Sequence, residues 1–223
     1  MKKTVLFDLD GTLADTLADI RSAVNYVLRL HGFPERTHEQ IREYVGTGSR
    51  DLIRKSLPDG CSAQTMEQVH ADYLKRYYAY YLVNTRPYDG LPEMIGRLKG
   101  EGIALGVVTN KPDAHAHKVV ERFYGSDFGY ILGTREEFPT KPSPEMVYHA
   151  MKQLGADPHA TLFVGDSDVD IKTARNAGLP GIIVTWGFCT LEELHRSGAE
   201  YLVSTPAELE QQIHELLHRS SSI

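Results

Sequence analysis

The sequence predicts an α/β fold, a Rossmann-like parallel-sheet core interrupted by one all-helical insert. Three observations carry that prediction. Short apolar, β-branched runs alternate with stretches of helical spacing, each run ends in a polar cluster, and one long segment, 15 to 84, holds no strand-like run.

Thr4 to Leu9 is a short apolar run stopped by Asp10-Gly11-Thr12, the pattern of a buried strand opening into a loop. Two helical stripes follow, Leu17, Ile20, Val24, Val27 and Leu28, then Met66, Val69, Tyr73, Tyr77 and Tyr81. Arg86-Pro87-Tyr88 ends the insert, because proline stops helical continuation. The chain therefore divides into a core of 1–14 with 86–223 and a helical unit of 15–85. Further strands are expected at Ile103 to Thr109, Ala160 to Val164 and Gly181 to Val184. Between them lie the helical stripes Leu91, Ile95, Leu98, then Val119, Val120, Phe123, then Met146, Val147, Ala150, Met151, Leu154. Ser143-Pro144, Thr190/Glu193 and Thr205/Glu208 have the spacing of helix starts. Leu209, Ile213, Leu216 and Leu217 form a last stripe, and Ser220 to Ser222 read as a frayed tail.

The 223 residues are 41% hydrophobic and 24% charged, values of an ordinary globular chain, which sets aside disordered and coiled-coil classes. A formal charge of -6 argues against a general nucleic-acid or membrane-surface binder. Cys61 and Cys189 stand far apart without a partner motif, so free thiols are expected. Met1-Lys2-Lys3 resembles a secretory start, but Asp8 and Asp10 end the apolar run too early, and a cytoplasmic protein that is monomeric or homodimeric is expected.

A parallel sheet gathers ligands beyond the carboxyl ends of its strands. The clusters found there are Asp8/Asp10, Thr109/Asn110, Asp166/Ser167/Asp168 and Thr185. Asp8 and Asp10, two apart, share a face if the strand continues. Two such charges ~4 Å apart repel by about 4 kcal/mol at an effective dielectric of ~20. A divalent cation relieves this, and an oxygen-rich pocket selects Mg²⁺. The bland reading of an isolated D-x-D, a turn or helix cap, is weakened by Gly11-Thr12, whose N–H groups and hydroxyl suit phosphate oxygens. Asp166, Asp168 and Asp170 exceed what capping of the next helix requires. Lys141 adds one cation, and a hydroxyl, an amide and a cation beside carboxylates match the needs of a phosphoryl dianion.

Asp8-Leu9-Asp10-Gly11-Thr12, Thr109-Asn110, Lys141-Pro142 and Gly165-Asp166…Asp170, in this order, resemble the four motifs of the haloacid dehalogenase-like phosphohydrolases. The resemblance spans Thr4 to about Val184, and the insert has the position of that family's helical cap. It implies that Asp8 is the nucleophile forming an aspartyl-phosphate and that Asp10 is the general acid/base. By the same resemblance, Thr109 and Asn110 hold phosphoryl oxygens and Lys141 neutralises charge. Asp8, the Asp10 main-chain carbonyl and Asp166 would bind Mg²⁺, with Asp170 orienting that shell. Dehalogenase members lack an acid where this chain has Asp10, which favours phosphoryl over halide chemistry.

Asp15 to Ile20, Val45-Gly46-Thr47-Gly48-Ser49-Arg50 and Val108 to Pro112 look like segments of phosphoglycolate phosphatases. Gly46 and Gly48 could bring amides to a small anionic substrate such as 2-phosphoglycolate, and Arg50 could pair its carboxylate, although the glycines could equally just shape a turn. The resemblance leaves open a sugar-phosphate mutase, a pyrophosphatase and a non-catalytic binding module. His115-Ala116-His117 falls in a helix, where i and i+2 do not share a face, so a surface role is expected there over metal binding. Tyr77 to Tyr81 are expected to pack the insert.

Overall fold

The computed structural model describes residues 2–219. Strand β1 (Thr4–Phe7) leads through β2 (Ala14–Asp15) into the four helices α1 (Leu17–Leu30), α2 (His38–Tyr44), α3 (Ser49–Ser56) and α4 (Ala63–Tyr80), and the chain returns through β3 (Arg86–Pro87). There follow α5 (Leu91–Gly100), β4 (Ala104–Pro112), α6 (Asp113–Tyr124), β5 (Tyr130–Thr134), α7 (Glu145–Leu154), β6 (Thr161–Gly165), α8 (Asp168–Ala177), β7 (Gly181–Val184), α9 (Leu191–Arg196), β8 (Tyr201–Val203) and α10 (Pro206–Arg219).

Six strands form one parallel sheet in the order β5-β4-β1-β6-β7-β8. Phe7 stands opposite Val107 on one side and Val164 on the other. Alternate side chains of β1 face opposite layers. Val5 and Phe7 join the apolar cluster with α5, α6 and α10, and Leu6 joins the cluster with α7 and α8. From β1 the chain fills one side of the sheet with β4 and β5, then crosses to β6, β7 and β8. The strand order therefore reverses beside β1, the position at which open α/β sheets bind ligands.

Strands β5 and β8 lie at the two sheet edges and escape the sequence reading because each offers only three consecutive apolar or aromatic residues before the pattern breaks. The insert is also not bounded by bare loops. Ala14 pairs with Pro87 and Asp15 with Arg86, making a two-stranded ribbon where the helical unit joins the sheet. Buried Asp19 fastens this junction. Its carboxylate accepts from Asn84 Nδ2 (2.8 Å), and from both the N–H and the hydroxyl of Thr85 (each 2.9 Å). The box at Thr190/Glu193 forms with both reciprocal bonds. Ser143 departs from expectation: its hydroxyl bonds the Glu145 carboxylate and caps no N–H, so α7 begins after Pro144. Leu209, Ile213, Leu216 and Leu217 are buried on α10, and Ser220 to Ser222 lie outside the described residues.

The helical unit also meets the core through aromatic contacts. His115 on α6 is buried, not at the surface as the sequence suggests, because it stacks on Tyr78 of α4 at 3.8 Å and meets Tyr81 edge-on, with its Nδ1 unpartnered. His117 instead lies 3.9 Å from Asp113 on a more open face. Burial, assisted by the charges of Lys111 and Lys118, lowers the His115 pKa to about 4. Between pH ~6.5 and 4 the unfolded chain takes up a proton that folded His115 refuses, so stability falls as the pH drops through that window. His115→Phe keeps the stack and removes the penalty. The wild-type minus variant difference in melting temperature is expected to widen in favour of the variant from pH 7 to pH 4.5; a pH-independent difference would refute this account.

Candidate active site

The acids converge at the carboxyl edge of the sheet. Asp8 follows β1 directly, and its N–H continues the ladder to the Val164 carbonyl at 2.8 Å. Asp166 follows β6, and Asp170 is the third residue of α8, whose cap Ser167 and Asp170 bond reciprocally. Oxygens of Asp8, Asp166 and Asp170 lie within 4.8 Å of one another, all buried.

Each of the supporting acids is built in. Asp166 accepts from the Thr12 hydroxyl at 2.9 Å and from the Phe188 N–H at 2.8 Å. Gly11, at φ +88°, packs so closely that a Cβ there would lie 2.3 Å from an Asp166 oxygen, and one at Gly187 would lie 2.2 Å from the Asp166 Cβ. Asp170 uses one oxygen for Lys141 Nζ (2.7 Å) and the other for the Ser167 hydroxyl (2.6 Å) and two backbone N–H groups. Asp8 is different. Its Oδ1 sits 2.8 Å from Lys141 Nζ, yet no donor meets that buried atom in hydrogen-bond geometry.

Electrostatics follow from this crowding. Burial pushes the Asp8 carboxyl up to about 6 against the downward pull of Lys141. Burial, then the charges of Asp170 and Asp8, hold Asp166 well above the usual carboxylate range. Lys141 is opposed by burial, but Asp170 and Asp8 hold its ammonium above the ordinary lysine value. Counting Asp10 and its partner Lys111, four carboxyl groups face two ammonium groups, and full ionisation would leave an excess of two negative charges. The Asp8 oxygen that makes no hydrogen bond, the all-oxygen donor set and this crowding of acids fit a hard divalent cation. Such an ion would be held by Asp8 and Asp166, which border the cavity over the site, whereas Asp170 does not and gives its oxygens to Lys141, Ser167 and backbone N–H groups.

A cation that binds only the folded state raises its melting temperature. Millimolar Mg²⁺ is expected to raise it by several degrees, with the rise reversed by a chelator and smaller at pH 5 than at pH 7.5, because the carboxylates must lose their protons to bind. No Mg²⁺-dependent shift at either pH would count against a cation at this site.

A cavity of about 230 Å³ opens over Asp8, Asp10, Thr109, Asn110 and Asp166, bordered on the helical side by Arg42 and Gly46. Four expected residues are placed differently from the sequence reading. Gly11 and Thr12 do not border the cavity but support Asp166 from behind. Gly48 lies in the neighbouring pockets and starts α3, and Arg50 turns outward to pair with Glu67, because its position on α3 faces solvent. Asn110 borders the cavity, yet its Nδ2 donates to the carbonyls of Gly46 and Lys141 (both 3.0 Å) and its Oδ1 accepts from the Lys141 N–H (2.9 Å). Its amide thus positions Lys141 and ties down the helical unit. The Asp10 carboxylate pairs with Lys111 Nζ, at 2.8 and 3.1 Å, and is not one of the three acids whose oxygens cluster.

The sequence reading also missed Lys111 and Arg42. Lys111 lies two residues beyond Thr109 on β4, but the pairing register shifts between Val108 and Pro112 and Asn110 borders the same cavity, so simple alternation could not have singled it out. Arg42 carried no local signal. It reaches the site only because α2 packs over it, donating to the Phe188 carbonyl and lying 3.7 Å from Glu193.

Comparison with known proteins agrees with this geometry. Residues 5–184 match the model of the haloacid dehalogenase-like hydrolases. The chain belongs to that family. Among its relatives, the N-acetylmuramic acid 6-phosphate phosphatase of Pseudomonas aeruginosa is 34% identical, over 93% of this chain and 92% of the relative. The phosphoglycolate phosphatase of Rhodobacter capsulatus is 36% identical, over 84% of this chain and 86% of the relative. A solved structure from Lactobacillus delbrueckii subsp. bulgaricus, described as a candidate phosphoglycolate phosphatase, superposes with a TM-score of 0.90 at 30% identity, over 96% of this chain and 99% of that one. This haloacid dehalogenase-like chain is a phosphoric monoester hydrolase that resembles the phosphoglycolate phosphatases. Among the described residues no helix is long and apolar enough to cross a membrane.

Proposed function

We propose that the chain is a Mg²⁺-dependent phosphatase of small phosphomonoesters, foremost 2-phosphoglycolate, working through an aspartyl-phosphate on Asp8. The observation that carries this reading is the buried Oδ1 of Asp8, charge-paired with Lys141 but in no hydrogen bond, on a cavity that Asp10 also lines. In the first step an Asp8 oxygen attacks phosphorus, the bond from phosphorus to the ester oxygen breaks, and Asp10 gives its proton to the departing alkoxide. In the second, water attacks the phosphorus of aspartyl-phosphate, Asp10 takes the proton, and inorganic phosphate leaves with Asp8 restored. Bound Mg²⁺ supplies charge neutralisation at the phosphoryl oxygens. Lys141 holds Asp8 and balances its charge, Thr109 offers its hydroxyl, and Asn110 keeps Lys141 in register. Residues 15–85 act as a cap over the site, hinged on the ribbon of β2 and β3. The unpaired thiols of Cys61 and Cys189 suit a reducing cytoplasm.

The relative from Pseudomonas aeruginosa favours a second reading, a 6-phosphorylated amino sugar acid as substrate. The cavity, at about 230 Å³, is below the roughly 300–1,000 Å³ typical of drug-sized ligands, which favours the two-carbon acid. Comparing kcat/KM for 2-phosphoglycolate and N-acetylmuramic acid 6-phosphate with Mg²⁺ decides between them, and a higher value for the sugar would overturn the first reading. Isomer exchange of a hexose phosphate without phosphate release would instead identify a mutase.

A further inference from the structure

We infer that Lys111, assisted by Tyr77, is the specificity determinant for the leaving half of the substrate: together they bind a carboxylate carried on the carbon next to the ester oxygen. The inference rests on the phosphatase reading above and names the group that makes the enzyme prefer an α-carboxylate.

An ammonium only 4% exposed needs partners, and Lys111 has two, from different parts of the fold. Its Nζ lies 2.8 and 3.1 Å from the oxygens of Asp10 in the core and 2.6 Å from the Tyr77 hydroxyl on cap helix α4. A lysine ammonium carries three N–H donors. The two Asp10 oxygens and the Tyr77 hydroxyl face all three, so what Lys111 offers a ligand is its charge, held in place by these partners. Because the Tyr77 hydroxyl accepts from Lys111, its own proton is left to donate. A fixed ammonium and one free donor, the Tyr77 hydroxyl, therefore stand together on the border between the acidic cavity and the small pocket under α4.

That point has a fixed relation to the chemistry. Asp10 must reach the ester oxygen to protonate it, and Lys111 stands within hydrogen-bond distance of the same Asp10 carboxylate. An anionic group one carbon from the ester oxygen falls beside the ammonium, whereas one at the far end of a sugar does not. The other cations at the cavity are engaged elsewhere: Arg42 holds the Phe188 carbonyl, and Arg196 pairs with Glu192 at the surface. A substrate with an uncharged leaving group leaves the Tyr77 proton without an acceptor and gains nothing from the Lys111 charge, and sites of that kind reject the analogue that lacks the acceptor.

The test compares 2-phosphoglycolate with 2-hydroxyethyl phosphate, both of which leave as alkoxides and so both need the Asp10 proton. Wild type is expected to prefer the acid in kcat/KM. Lys111→Gln is expected to shrink that preference by roughly tenfold to hundredfold, mainly through KM for the acid. Lys111→Arg retains part of the preference, and Tyr77→Phe lowers it by about threefold to tenfold, which keeps the test open should Lys111→Gln not fold. An unchanged preference in the folded Lys111 and Tyr77 variants, with both substrates slowed alike, would overturn the inference and leave Lys111 as a support for Asp10. Phosphate release from neither substrate by wild type would instead sink the phosphatase reading itself. Equal release from both would overturn only the inference.

Discussion

Asp8→Asn is expected to lower kcat by about four orders of magnitude or more while the protein stays folded and still binds phosphate esters. An amide nitrogen or oxygen in that position cannot form the aspartyl-phosphate, and no other carboxylate is free to replace it. Asp166 is held by Thr12 and Phe188, Asp170 by Lys141 and Ser167, and Asp10 by Lys111. The same change is expected to stabilise the metal-free protein at neutral pH. Asp8 has its pKa raised to about 6 in the folded state against 3.8 ordinarily, so its charged form is disfavoured by folding. The resulting loss of stability sets in as the pH rises above ~4 and is complete above about 6. Asparagine carries no such penalty. The variant should melt above wild type at pH 7.5 without Mg²⁺, and the gap should close as the pH falls toward 4. Calorimetry with a phosphate-release assay reads both effects, and full turnover by the folded variant would end the assignment of Asp8 as nucleophile.

Lys141→Met is expected to cost both stability and activity. Its ammonium, buried, ion-paired with Asp8 and hydrogen-bonded to Asp170, is the balancing charge for the three-acid cluster. Removing one partner of a buried ion pair costs about 3–5 kcal/mol, because the remaining charges are left without compensation. In a chain of this size that lowers the melting temperature by roughly 10 °C. Turnover should fall by about 10²-fold to 10³-fold through loss of charge stabilisation and of the alignment of Asp8. Adding Asp170→Asn to this variant removes one of the stranded charges and should restore part of the stability but not the activity. Simple additivity of the two changes would show that charge compensation is not what Lys141 provides.

Much of the architecture was legible because its signals are local. The strand of Asp8, the strand of Asp166 and the helix of Asp170 are written in short apolar runs and turn chemistry that neighbouring residues settle among themselves. The strand-end rule then brought their acids to one edge. β5 and β8 were not legible, since a short edge strand is defined by the neighbour it pairs with and its own composition says little. The ribbon of β2 and β3 is two residues a side, and Asp19 fastens it across 65 residues of chain.

The site divides along the same line. By itself the sequence determined which acids, which hydroxyl and which lysine the chemistry has available, and that an all-helical unit interrupts the sheet. Only the tertiary structure decided how they are used. It turned Gly11, Thr12 and the Asn110 amide into supports, sent Arg50 to the surface, brought Arg42 over the site, and set Lys111 between Asp10 and Tyr77. Residue type and spacing constrain a side chain's immediate neighbourhood. The partners that give these groups their roles come from distant segments, and chain closure, which brings them together, depends on the packing of every layer at once.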